Sequence, residues 1–339
     1  MKAWIVVRTG TPTAALQFDL QHPTPPPPSG NDINIKVSYA ALNPADLVLM
    51  SHLPASLPFR WRPTPGLDFC GTVVAVGSST PNNGPITVGA CVCGAIPLFR
   101  LMTGTGTLAE FITVPADCVA LKPDQLSKRA AAGLGIAGQT AVMIINEANL
   151  EPGQLVLVNG ASGGVGSMMC QVLNAMGATV VGVCSGRNAE MVKKLGASEV
   201  IDYTMHGPLH EYLIKKYAQN PFDKIIDCSG NQALYDYCMP YLKEKGIFLN
   251  IVGGTTQGVF PWLKGNLFPS FLGGTPRKYK ILPLSPNGKY QKEVVDWIED
   301  GTLKEVQIDS VFPFEEALQA YEKLASKRAR GKIIIKIAE

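Results

Sequence analysis

Apolar and polar positions alternate in short runs through the first third of the chain. AWIVV (3–7), INIKVSYAAL (33–42), GTVVAVG (71–77) and AEFITV (109–114), set between Pro- and Gly-rich stretches, predict β-strands joined by turns. The proline run at 25–28 is a surface connector, because proline donates nothing to a sheet ladder. From about residue 125 the period changes. SKRAAAGLGIAGQTAVMIINEA (127–148), SMMCQVLNAMG (167–177) and NAEMVKKLG (188–196) are helical. QLVLVN (154–159), ATVVGVCS (178–185), SEVIDY (198–203), FDKIIDCSG (222–230) and GIFLNIVGG (246–254) are apolar enough to be buried on both faces. Buried strands alternating with helices predict an α/β fold with a doubly wound parallel sheet. After about 266 come a helix at 289–301, the segment 311–326 with a helix opening at Phe314, and a closing strand, GKIIIKIA (331–338). The expected organisation is a β-rich part over 1–124, a parallel-sheet domain over 125–265, and a return segment over 266–339 that completes both.

The glycines sharpen this picture. Gly160, Ala161, Ser162, Gly163, Gly164, Val165 and Gly166 follow a strand and open a helix. In that setting glycines let the backbone turn tightly and approach a pyrophosphate, which the helix N-terminus then receives. The spacing is GxxGxxG, so the general GxGxxG fingerprint alone is a weaker warrant. At the end of the next strand an NAD site usually carries Asp or Glu for the ribose 2′-hydroxyl. Ser185, Gly186, Arg187 and Asn188 stand there instead. Arg187 pairs with a 2′-phosphate and Ser185 donates to it, which favours NADPH over NADH; the plain alternative for Arg187 is a solvated loop arginine.

Composition narrows the classes. At 339 residues, 46% hydrophobic and 17% charged, the chain folds with a sizeable core and suits two domains. A formal charge of +3 is too small to imply a nucleic-acid partner. The eight cysteines form no CxxC pair and several sit in apolar runs, which points to a reducing compartment. No targeting pattern and no membrane-length apolar run is visible, so a cytoplasmic protein without a membrane span is expected.

Further motifs extend over nearly the whole length: LNPAD (42–46), PGLDFCGTV (65–73), LAEF (108–111), LGA (195–197) with IDY (201–203), and ARGK (329–332). With them the chain resembles the medium-chain dehydrogenase/reductase superfamily, in its zinc-free quinone oxidoreductase branch. The resemblance implies a GroES-like catalytic domain built from the first and last zones, a central Rossmann domain, and an active site in the cleft between them. It implies that Tyr203 borders the adenosine phosphate and that Val252 and Gly253 line the nicotinamide pocket. As bare sequence, these are a half-buried loop aromatic and a strand ending in glycines. Dimers are usual among relatives, so the resemblance also suggests a homodimer.

Zinc-dependent relatives place a Cys and a His near the positions of Asn43 and Leu67, and a later Cys. Here 133–138 reads GLGIAG, only Cys91 and Cys93 lie near the structural-zinc lobe, and His22, His52, His206 and His210 form no ligand set. No metal is therefore expected. Without one, the fitting substrate is already activated: a small apolar conjugated carbonyl or a quinone, to which NADPH gives hydride while the protein supplies a donor to the developing oxyanion. Asn43 is the candidate donor, with a turn residue before Pro44 as its bland reading. Asp46 and His52 are the other catalytic candidates, read otherwise as a turn or helix cap and an exposed loop histidine. Tyr279 and Tyr290 are donors the sequence does not place. Three functions remain open: a quinone or enone reductase, a trans-acting enoyl reductase on a carrier-bound acyl or polyketide chain, and a non-catalytic NADPH-binding or redox-sensing module. The aromatic stretch with Phe260, Trp262, Phe268 and Phe271 suits a pocket wall, an oligomer contact or interdomain packing.

Overall fold

The computed structural model describes residues 1–55, 62–80, 84–252 and 275–338. They separate into two units, Met1–Gln139 with Ser285–Glu339, and Thr140–Leu284. Both breaks fall later in the chain than the changes of hydrophobic period at 125 and 266. The first helical turns after 125, Lys128–Ala131 and Ala132–Leu134, pack on strands of the first unit. At the other end, Lys278–Ile281 still belongs to the parallel sheet.

In the first unit β1 (Ala3–Val6) and β2 (Leu16–Asp19) form an antiparallel pair. A seven-stranded sheet is built from β3 (Asp32–Leu42), β4 (Asp68–Val76), β5 (Cys91–Ala95), β6 (Phe111–Pro115), β7 (Val119–Leu121), β14 (Ile308–Pro313) and β15 (Lys332–Lys336). Its order is β14-β15-β3-β4-β5-β7, with β6 also on β3. Register positions the chemistry. Ile333 faces Leu42 and Asp68 faces Ala41, so the end of β3 and the starts of β4 and β15 meet at one point. Ile333, Ile335, Phe69, Val37 and Ala40 lie in the core beneath this sheet.

In the second unit β8 (Leu155–Asn159), β9 (Thr179–Cys184), β10 (Glu199–Asp202), β11 (Phe222–Asp227), β12 (Leu242–Asn250) and β13 (Lys278–Ile281) make a six-stranded sheet. All its pairs are parallel, in the order β10-β9-β8-β11-β12-β13. The chain winds outward from β8 in one direction and restarts beside it in the other, so the switch point lies at the carboxyl ends of β8 and β11.

The single helix expected over 127–148 is broken. Lys128–Ala131 and the tight turn Ala132–Leu134 precede Gly135, and Ile136–Ala148 starts afresh. The cause is Asp68: a side chain at 135 would put its Cβ 2.4 Å from Asp68 Oδ1, and that oxygen accepts the Ile136 N–H at 2.7 Å. Among the described residues no helix is long and apolar enough to cross a membrane.

Candidate active site

β8 ends at buried Asn159, whose Nδ2 donates to Asp227 Oδ1 at 2.8 Å. The chain then turns through Gly160 at φ +79°, and the N–H groups of Gly160 and Ala161 both donate to Val183 O. Helix Gly164–Ala175 follows. A Cβ at 160 would lie 2.5 Å from Ser229 Oγ, and one at 166 would lie 2.2 Å from Gly160 O, so both positions require glycine for the turn itself. Gly163 differs. Its backbone (φ −82°, ψ −179°) suits any residue, and a Cβ there meets nothing closer than Gly160 O at 3.4 Å. Nothing in the protein's own packing requires a glycine there, whereas a pyrophosphate at the helix N-terminus would. Gly163→Ala is therefore expected to leave the melting temperature within about 2 °C of the parent. NADPH affinity, read by fluorescence titration, should fall about tenfold or more. Unchanged affinity would place the pyrophosphate elsewhere.

The other cofactor candidates gather at the carboxyl ends of β9 and β10. Ser185 is half-buried and Arg187 exposed. The Tyr203 N–H donates to Cys184 O at 3.2 Å, leaving its ring exposed beside them. Asn188 is buried, and its Nδ2 reaches Ser162 Oγ at 3.1 Å, tying this loop to the glycine turn, while its Oδ1 has no hydrogen-bond partner. A carboxylate also reaches this loop from the end of β10. Asp202 accepts from the Thr204 hydroxyl at 2.7 Å and amide at 2.9 Å and sits against Gly186; these bonds, the hydroxyl first, hold its carboxyl below the usual range. Its Oδ1 is thus committed to Thr204.

Asp227 fixes the loop across the switch point. Its carboxylate accepts the N–H groups of Ser229, Gly230 and Asn231 as well as Asn159 Nδ2. Val252 packs beside Gly230 and donates its N–H to Asn250 Oδ1 at 2.8 Å. Gly253 and the aromatic stretch with Phe260, Trp262, Phe268 and Phe271 lie outside the described residues. Tyr279 is a core residue: its OH accepts from Asn250 Nδ2, and its ring packs on Tyr235 and Phe248.

The first unit holds a second constellation. Lys332 is 3% exposed, and all three of its N–H bonds are used: to Leu42 O at 3.1 Å, Asn43 Oδ1 at 2.6 Å and Asp68 Oδ2 at 2.9 Å. Asp68 is fully buried, with its other oxygen on the Ile136 N–H. An ammonium donates only, so it fixes the Asn43 amide with Oδ1 toward Lys332 and Nδ2 turned away from it; among the described residues Nδ2 makes one long hydrogen bond, 3.4 Å to Ala41 O, which leaves its second N–H to donate elsewhere. Asn43 precedes helix Pro44–His52, and the Asp46 carboxyl caps back onto the Asn43 N–H at 2.7 Å. Asp46 is itself buried and its Oδ1 has no partner; burial pushes its pKa up to about 8, helped by the Asp68 charge and opposed by the Asn43 N–H and Lys332. Tyr321, fully buried and also without a partner for its hydroxyl, has its pKa raised by burial and by Asp46. A cavity of about 20 Å³, lined in part by Asp46, Thr64 and Gly66, is large enough for one water.

Asn43 and Asp46 thus come together, joined by Asp68 and Lys332. His52 stands apart, exposed in the last turn of its helix with Nδ1 on Val48 O at 2.9 Å. Tyr290 is half-buried in the first turn of helix Gly288–Glu299, its N–H capped by Asn287 Oδ1.

Comparison with known proteins adds three findings. Residues 29–124 match the family model described as alcohol dehydrogenase GroES-like domain, and 195–335 the one described as zinc-binding dehydrogenase. The chain is 34% identical to the medium chain reductase pydE of an Acremonium species, covering 99% of each, and 33% identical to the trans-enoyl reductase poxH of Penicillium oxalicum, covering 100% of this chain and 98% of that one. The solved structure of the quinone oxidoreductase from Coxiella burnetii superposes with a TM-score of 0.82 at 26% identity, over 100% of this chain and 99% of that one. The zinc that one family description implies does not fit the donors present. Among the described residues no three His, Cys, Asp or Glu side chains gather to hold a metal, and Asp68 is already paired with Lys332.

Proposed function

The chain belongs to the medium-chain dehydrogenase/reductase superfamily, and on that premise we propose that it is an NADPH-dependent reductase of carbon–carbon double bonds conjugated to a carbonyl, quinones included. The observation that carries this reading is the cluster of Asn43, Asp68 and Lys332, which presents an oriented amide donor where a metal-using relative would need ligands. When bound, NADPH supplies the hydride. The 160–166 turn would hold the pyrophosphate, with Arg187 and Ser185 on the 2′-phosphate, Tyr203 beside it, and Val252 and Gly253 near the nicotinamide. Asn43 Nδ2 donates to the substrate oxygen on which negative charge develops, or to the cofactor ribose; Lys332 keeps that amide turned the right way. The eight cysteines, all free thiols, support a cytosolic setting.

A panel of quinones, enones, alkenals, enoyl thioesters and saturated ketones, followed by NADPH absorbance, tests the reading. Turnover is expected with the conjugated acceptors and not with saturated ketones. The kinship with trans-enoyl reductases favours acyl substrates within this class, which faster turnover of a carrier-bound enoyl chain than of its free thioester would establish. Tight NADPH binding with no turnover of any acceptor would instead mark a binding or sensing module. Arg187→Ala should raise the KM for NADPH about tenfold or more while leaving that for NADH within about twofold, since one charge-assisted contact contributes about 1.5–3 kcal/mol. Equal effects on both would refute the 2′-phosphate contact.

A further inference from the structure

Strands β4 and β5 pair with Cys70 opposite Cys93 and Thr72 opposite Cys91. Residues two apart on a strand share a face, so Cys70, Cys91 and Cys93 point the same way. Cys70 Sγ lies 3.9 Å from Cys91 Sγ. We propose that Cys70 and Cys91 form an oxidative modification site, at which a hydroperoxide converts the two thiols into a disulfide across β4 and β5.

Position assigns the roles. Cys91 is half-buried and reached from solvent, and its thiol is made more acidic by the Cys70 hydrogen bond and by the charges of Lys128 and Lys122. Cys70 is fully buried; the same hydrogen bond and its burial push its thiol up. Cys93 is buried with the Gln291 amide on its sulfur, and burial pushes its thiol up to about 12, so it does not compete with Cys91 for the peroxide.

The Cys91 thiolate attacks one peroxide oxygen, forming S–O as O–O breaks, and the departing oxygen takes a proton to leave as water or an alcohol. Cys70 sulfur then attacks Cys91 sulfur: S–S forms, S–O breaks, and the Cys70 proton goes to the leaving hydroxide as a second water. Two thiols lose two electrons, which the peroxide takes up. Cα atoms of diagonal cross-strand neighbours lie about 7–8 Å apart, beyond the usual disulfide span of roughly 4.4–6.8 Å. The strands must draw together, and a bond under such strain is readily reduced, so the modification is reversible by dithiols.

The test uses the full chain and needs no cofactor. The protein is treated with a small molar excess of hydrogen peroxide at neutral pH, its remaining thiols are alkylated after denaturation, and its peptides are mapped by mass. The expected product has lost about 2 Da and two alkylable thiols, with the peptides of Cys70 and Cys91 linked and dithiothreitol restoring both. Cys91→Ser should abolish the link and Cys118→Ser leave it intact; Cys70→Ser should let a sulfenic acid on Cys91 accumulate, trapped by dimedone. In the unoxidised parent, Cys91 should be alkylated about tenfold or more faster than Cys118, whose thiol burial pushes up to about 11; this reading stands even if a variant fails to fold. A link from Cys70 to Cys93, first oxidation at another cysteine, or no linked peptide would each overturn the proposal.

Discussion

Lys332→Met is expected to cost about 3–5 kcal/mol of folding stability, because it leaves the buried Asp68 carboxylate without its counter-charge. The three N–H donors of the ammonium meet three acceptors, so the substitution also strands Leu42 O and Asn43 Oδ1. Neutralising Asp68 as well should return much of the loss: the double variant Lys332→Met with Asp68→Asn should be more stable than Lys332→Met alone, although the Asn side chain offers the Ile136 N–H a weaker acceptor. Denaturant unfolding of the four proteins closes the cycle. A coupling of less than about 0.5 kcal/mol would show that the pair is solvated and the Asn43 amide loosely held. At a temperature where the single variant stays folded, kcat/KM for NADPH-driven reduction should also fall by about 10- to 100-fold, since an amide donor free to rotate no longer waits in the reacting orientation. A loss of stability with unaltered kinetics would remove Asn43 from the proposed chemistry and leave Lys332 a purely structural ion.

These positions show why part of the molecule was legible in sequence and part was not. β8, β9 and β11 lie inside the parallel sheet with helices about them, so burial wrote them as apolar runs. The glycine turn could be read because Gly160 and Gly166 answer to backbone sterics within a few residues of themselves. β5 escaped notice because CVCGA carries little β-branched character, and β13 because KYKI, at the sheet edge, carries lysines. β14 was hidden at the head of a segment read for its helix. In the 42–46 motif, Pro44 after Asn43 read as a turn, although proline is equally at home in the first turn of a helix. Asp68 and Lys332 are 264 residues apart, and only the registers of β3, β4 and β15 bring them together. The signal that was available is chemical: a charge at the edge of an apolar strand, in GLDFCGTV and in GKIIIKI, has to find a partner or shift its proton. Asp202 was missed for a related reason, since its carboxylate reaches the β9 loop from a neighbouring strand.

Asp46→Asn is expected to stabilise the protein at pH 8 and to change little at pH 4. A carboxyl raised from 3.8 to about 8 binds its proton more tightly in the folded chain than in the unfolded one. Across that window unfolding releases a proton, so this group's contribution falls as pH rises: the penalty is absent below about 4 and complete above about 8. At about 1.4 kcal/mol per pK unit the ceiling is on the order of 5 kcal/mol, and relaxation around the ionised group leaves on the order of 2–3. The groups facing it account for the direction. Burial dominates, the Asp68 charge adds to it, and the Asn43 N–H and Lys332 oppose it, while the Tyr321 hydroxyl supplies no hydrogen bond to the unpartnered oxygen. Asparagine keeps an acceptor for the Asn43 N–H and cannot ionise. The difference between parent and variant isolates this residue from carboxylates such as Asp202 and Asp309, whose lowered pKa values act in the opposite sense on the acid side. Asp46→Ala, which removes the cap, should lose about 1 kcal/mol relative to Asp46→Asn at every pH. If chemical denaturation at half-unit steps gives a parent-to-Asn difference that does not vary between pH 5 and pH 8, the carboxyl is ionised throughout, and a water in the adjoining cavity, bonded to its free oxygen, becomes the better account of how that charge is tolerated.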